Sequence, residues 1–185
     1  MKFFATLTLF AASVGLSVAS DLPAGLYEGS TLANGTWLLK PAGAPDSALF
    51  TIDPTEAQDE QVVARSPPST RGSARVAKRA TGCFGSALSH AGTDRAVNSL
   101  KAWAGSGNWL FSSTTNRWLG YQSEGALVYY CITAPNSGGN LDTKDVNYAL
   151  ERMDAACPRY TASYFRWDGS VEIVGKARVG DNICV

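Results

Sequence analysis

Ala126-Leu127-Val128-Tyr129-Tyr130-Cys131-Ile132-Thr133 decides the fold. The run is β-branched and aromatic and has no break, so it reads as a strand. Successive side chains of a strand point to opposite faces. An uninterrupted apolar strand therefore needs cover on both sides and belongs at the centre of a sheet.

The neighbouring stretches supply the rest of that sheet and its cover. Upstream, Glu124-Gly125 is a turn, and residues 117–122 and 108–113 are candidate strands around Thr115-Asn116. Before them, Ala96, Val97, Leu100, Trp103 and Ala104 recur at helical spacing, with Thr93 as the expected cap and Gly105-Ser106-Gly107 as the stop. Residues 83–88 form a short apolar run ahead of that helix. Downstream, residues 135–140 read as a Gly/Asn/Ser loop. Asp142 and Asp145 then open a second helix in the manner of a capping box. Val146, Ala149, Leu150, Met153 and Cys157 mark its apolar face, and Pro158 ends it. Residues 160–167 and 170–178 are two further strands joined at Asp168-Gly169, a hairpin turn signal. The expected order is β-α-β-β-β-α-β-β. It implies an α+β fold, an α/β sandwich with two helices on one face of a largely antiparallel sheet.

All four cysteines lie in this half, at Cys83, Cys131, Cys157 and Cys184. If successive elements alternate in direction, the start of the first strand and the end of the second helix share one end of the sandwich. Cys83 then falls near Cys157, which leaves Cys131 for Cys184. Metal binding is the poorer reading, because no two cysteines are close in sequence and His90 is the only histidine.

The N-terminal half differs in character. Residues 1–20 have one early lysine, a long apolar run and a small-residue end, Val18-Ala19-Ser20, which is signal-peptide grammar. The run is short for spanning a bilayer, so no stable membrane anchor is expected and the product is expected outside the cell. Residues 21–79 read as a prosegment. Its first part carries a possible hairpin over 26–39 around Asn34-Gly35, and Asn34-Gly35-Thr36 is also a glycosylation sequon. Residues 54–79 are polar and bear Pro67-Pro68 and several arginines, a linker by composition. The linker ends in Lys78-Arg79, a dibasic pair that a processing protease of the kexin type would cut, leaving residues 80–185 as the mature domain.

Composition narrows the function. The chain carries 16 basic and 16 acidic residues, and residues 80–185 are themselves balanced. A neutral surface argues against nucleic acid as a partner. No cofactor is implied, since a P-loop is missing after Gly138-Gly139. No catalytic residue is assigned: His90 is the only base available to a serine or cysteine hydrolase, and Asp142 and Asp145 are better explained as helix caps. Aromatic residues are abundant, however. Core packing is expected for most of them, with one or two left on the sheet face away from the helices to meet a ligand; Trp118, Tyr121 and Trp167 are the candidate binding aromatics.

The motifs Gly107-Asn108-Trp109, the strand with Cys131, Asp145-Val146 at the second helix and the terminal Cys184 together resemble the killer-toxin-like and necrosis-inducing secreted effectors of fungi. The resemblance spans most of residues 83–184. It implies an α/β sandwich and an extracellular protein acting on host or competitor cells. It assigns no functional residue. The expectation is a secreted effector or toxin-like protein whose target is a surface protein or a wall polysaccharide, with a non-toxic binding module as the alternative.

Overall fold

The computed structural model describes residues 22–53 and 80–184. The expected signal peptide, the linker 54–79 and the Lys78-Arg79 pair lie outside the described residues.

Two helices pack on a large antiparallel sheet, an α+β fold made mostly of strands. The sheet has eight strands. Three come from the N-terminal half: β1 (Gly25–Thr31), β2 (Trp37–Pro41) and β3 (Phe50–Ile52). Five come from the C-terminal half: β4 (Ala80–Ala87), β6 (Arg117–Ser123), β7 (Ala126–Ile132), β9 (Thr161–Arg166) and β10 (Glu172–Arg178). Their spatial order is β3-β2-β1-β6-β7-β10-β9-β4. Between these strands lie β5 (Asn108–Phe111) and β8 (Gly138–Leu141), which pair with each other, and the helices α1 (His90–Ala104) and α2 (Thr143–Ala156).

Every residue of β7 is buried, as its unbroken apolar run requires. Alternation divides it between two cores. Val128, Tyr130 and Ile132 join Leu119, Phe165 and Val174 under Ala96, Leu100, Val146, Ala149 and Met153 of the helices. Leu127, Tyr129 and Cys131 face the other way, where they meet Trp118 and Ile173 together with Leu22, Tyr27, Trp37, Leu39 and Ile52 of the N-terminal half. Val179 and Ile183 of the C-terminal segment close the same side. The second face of the sheet is therefore a core in its own right. The expectation of an open second face that displays aromatics is corrected here: Trp118 is fully buried.

The hairpin expected over 26–39 is β1–β2, and it is part of the main sheet. Gly29 of β1 pairs with Leu39 on one side and Trp118 on the other. A Cβ on Gly29 would stand 2.2 Å from the Leu38 carbonyl oxygen and 2.9 Å from the Trp118 ring. The bare backbone lets the Trp118 indole lie across β1 and meet Trp37 edge-on, with ring centroids 5.4 Å apart. Charge ties the two halves on the opposite face. Glu28 is bridged by the Arg117 guanidinium and lies 3.4 Å from the Lys40 ammonium. Asn34 sits exposed in the β1–β2 turn, where its side chain accepts the Thr36 N–H at 3.1 Å.

Both helix starts are built from side-chain caps. Asp142 and Asp145 form the expected capping box of α2. α1 begins earlier than expected, because Ser89 rather than Thr93 caps it: the Ser89 hydroxyl accepts the Gly92 N–H at 3.1 Å. Gly92 lies inside the first turn of α1. It is small because a Cβ there would come 2.3 Å from the Ser123 carbonyl oxygen. Thr93 is buried, and its hydroxyl donates to the Ser89 carbonyl at 2.7 Å.

The disulfides are Cys83–Cys157 and Cys131–Cys184, the pairs that alternation of the elements brings together. The first staples β4 to the end of α2. The second fastens the C-terminal segment onto β7. Loops of 74 and 53 residues make each worth about 4 kcal/mol in the chain-entropy model.

Candidate functional site

The two candidate strands around Thr115-Asn116 both form, as β5 and β6, but they do not pair with each other. β5 pairs instead with β8, which overlaps the stretch 135–140 read as a loop and runs on to Leu141. The register is Asn108 to Leu141, Trp109 to Asn140, Leu110 to Gly139 and Phe111 to Gly138. Alternation turns Leu110 and Leu141 into the helix-side core and leaves Trp109, Phe111 and Asn140 facing outward. Ser112 anchors the far end of this ribbon. Its buried hydroxyl donates to the Ala134 carbonyl at 2.6 Å and accepts the Ser137 N–H at 3.0 Å.

Trp109 and Phe111 are 59% and 60% exposed, the most exposed large apolar side chains among the described residues. Their rings are stacked, with centroids 5.5 Å apart and planes 8° from parallel. Two adjacent aromatic rings left exposed to water on the β5–β8 pair form an apolar surface patch.

The ribbon leads directly into a polar hollow. Asn140, which faces Trp109 across the strands, also lines a depression of about 220 Å³ together with Asp145, Trp167 and Glu172. Trp167 is half-buried, edge-on against Phe165 at 5.0 Å. Glu172 accepts hydrogen bonds from the Tyr130 hydroxyl and, at 2.8 Å, from Ser170. Burial raises the Asp145 carboxyl above its usual range, and the charges of Asp142 and Glu172 add to the shift. Burial and the bond to Glu172 push the Tyr130 hydroxyl up as well. The surface thus runs from two flat apolar rings to an amide, two carboxylates and a third aromatic ring.

The other sites considered from sequence lie elsewhere. Tyr121 is half-buried against the helix-side core, and Trp118 is wholly internal. Of the three named aromatics, only Trp167 lines this hollow. His90 stacks on Tyr160 with centroids 3.8 Å apart, whereas Ser89 is engaged as a helix cap and donates to Glu124 at 2.7 Å. A larger cleft of about 370 Å³ sits between β1–β2 and the residues 113–117. Its charges compensate one another: Glu28 holds Arg117 and Lys40, and Asp46 lies 2.8 Å from Lys40. No group of acidic, histidine or cysteine residues that could hold a metal ion occurs among the described residues.

Trp109 and Phe111 were visible as the aromatic residues of a predicted strand. Their exposure was not, because it depends on pairing with the Gly138-Gly139-Asn140 segment, and a glycine run carries no strand signal.

No family model, no curated protein and no solved structure matches the chain.

Proposed function

We propose that this chain is a secreted, disulfide-bonded effector-type protein that acts outside the cell by binding a polysaccharide of a cell wall. The exposed Trp109–Phe111 stack carries the proposal. A sugar ring has one apolar face of C–H groups and a rim of hydroxyls. Flat aromatic rings suit the face, and Asn140, Asp145 and Glu172 supply acceptors and donors for the rim. A chain of zero formal net charge suits an uncharged glycan better than a polyanion.

The signal-peptide grammar of residues 1–20 and the two disulfides support action in an oxidising, extracellular setting. The resemblance to killer-toxin-like and necrosis-inducing effectors supports host or competitor cells as the place of action. Processing after Arg79 by a kexin-type protease belongs to the same reading. The activity proposed is binding rather than bond cleavage.

The test is retention of the secreted protein on insoluble chitin and insoluble β-glucan. Wild type is expected to be retained on one of them. Trp109→Ala and Phe111→Ala are expected to flow through while melting at the wild-type temperature. Equal retention of wild type and both variants, or no retention of wild type on any wall fraction, would refute the proposal.

A further inference from the structure

Residues 22–53 and 80–184 share a sheet and a core, yet no covalent cross-link joins them besides the chain itself, since all four cysteines lie in the second part. We propose that β6, with the Trp118 face beside it, is a strand-acceptor site whose occupant is the segment 22–53 of the same chain. Cutting the chain anywhere between residues 53 and 80 then yields a two-chain protein, not a freed C-terminal domain.

The acceptor is specific in three ways. The first is the ladder: β1 lies antiparallel along β6 over five successive pairs, from Gly25–Gln122 to Gly29–Trp118. An edge strand offers unpaired N–H and C=O groups, and a donated strand satisfies them. The second is the aromatic lock. Trp37 and Trp118 are both fully buried, and each covers the other across Gly29. Without the segment, Trp118 and its neighbours Leu127 and Tyr129 would lose Trp37, Leu39 and Tyr27 as cover and leave an apolar face in water. The third is polar registration. Glu28 receives Arg117 on the helix-side face, and the Thr31 N–H donates to the Asn116 side chain at 2.8 Å. A strand slipped by one residue would turn Glu28 into the apolar core.

The acceptor and the aromatic ribbon are separate ladders that adjoin at Arg117, whose guanidinium reaches both Glu28 and the Phe111 carbonyl. Trp109 and Phe111 belong to the β5–β8 pair, and retention of the cut piece is read by mass without any glycan, so the failure of one proposal is distinguishable from the failure of the other.

The experiment cuts the folded, secreted protein with a kexin-type protease at Lys78-Arg79. A variant with a second protease's recognition site placed between residues 60 and 61 covers the case in which the dibasic pair resists. The cut product is then examined by size exclusion with light scattering and by native mass spectrometry. The expected result is one species with the mass of the uncut monomer, which separates into two polypeptides in denaturant without reductant. Trp37→Ala, cut in the same way, is expected to release its N-terminal piece at least about tenfold faster, as a loss of roughly 1.4 kcal/mol or more would give. Elution of the wild-type N-terminal piece at its own small mass would overturn the inference. A species of twice the monomer mass would overturn it too, because the segment would then be held by a second copy. Equal release rates for wild type and Trp37→Ala would remove the aromatic lock.

Discussion

Trp118 and Trp109 lie nine residues apart in sequence and have opposite fates, and replacing each with alanine separates core from surface. Trp118 is fully buried, edge-on to Trp37 at 5.4 Å and packed in the cluster of Leu127, Tyr129 and Cys131. Removing a buried tryptophan costs about 3–5 kcal/mol, and the edge-to-face pair lost with it accounts for up to about 1 kcal/mol of that range. At about 2–4 °C per kcal/mol for a chain of this size, a loss of about 4 kcal/mol lowers Tm by roughly 8–16 °C. Trp109 is 59% exposed, and its replacement is expected to cost no more than about 0.5 kcal/mol, the range for surface positions. Thermal unfolding followed by near-ultraviolet circular dichroism measures both. The Trp118→Ala variant would lose wall retention only through unfolding, whereas Trp109→Ala would lose it while folded. A Trp118→Ala melt within about 2 °C of wild type, or a Trp109→Ala melt lowered as far as that of Trp118→Ala, would refute the assignment of inside and outside.

Three further predictions follow from the same geometry. Gly29→Ala should destabilise the protein by more than 1 kcal/mol in urea unfolding, reversing the usual gain of about 0.5–1 kcal/mol for alanine within a strand, because the added Cβ meets the Leu38 carbonyl oxygen at 2.2 Å. Glu28 is pushed up by burial, but Arg117 and Lys40 more than compensate and hold its carboxyl below the usual range. Its ionised form therefore adds stability that is fully present above the ordinary carboxylate pKa and is lost as the pH falls through the lowered one. Glu28→Gln should unfold more easily than wild type at pH 7, and the gap should close in that acid window. Replacing both Cys83 and Cys157 by serine should lower stability by about 4 kcal/mol, read as an earlier urea midpoint with the Cys131–Cys184 bond intact by mass.

Much of the architecture was legible because local chemistry and tertiary role agreed. The apolar run 126–133 demanded cover on both faces and has it in β7. Asp142 and Asp145 announced α2 through a cap that needs only local atoms. Alternating element direction brought Cys83 to Cys157 and Cys131 to Cys184. The misses share a cause, which is long-range pairing. Gly138-Gly139 reads as a loop, yet it forms β8 because β5 arrives beside it. Without that partner, Trp109 and Phe111 could not be recognised as a surface pair. Similarly, nothing local in Gly29 or Trp37 reveals that the N-terminal hairpin joins the sheet of the C-terminal half beside β6. That reading needs the register that sets Trp37 against Trp118. Trp118 stood among the candidate binding aromatics for the same reason: its cover comes from a segment about eighty residues earlier in the chain, across the dibasic boundary.

The central claim is that the ribbon of Trp109 and Phe111, with the hollow beside it, meets a glycan while the inner tryptophans do not. The chain has five tryptophans, each with one indole N–H, so a two-dimensional proton–nitrogen spectrum reports on five separate places. The direct measurement is that spectrum during titration with soluble chitin and β-glucan oligosaccharides. The account predicts that the indole signals of Trp109 and Trp167 shift progressively and saturate with one of them, while those of Trp37 and Trp118 stay fixed. Shifts at Trp37 and Trp118 with Trp109 unmoved, or no shift at any tryptophan with any wall oligosaccharide, would contradict it.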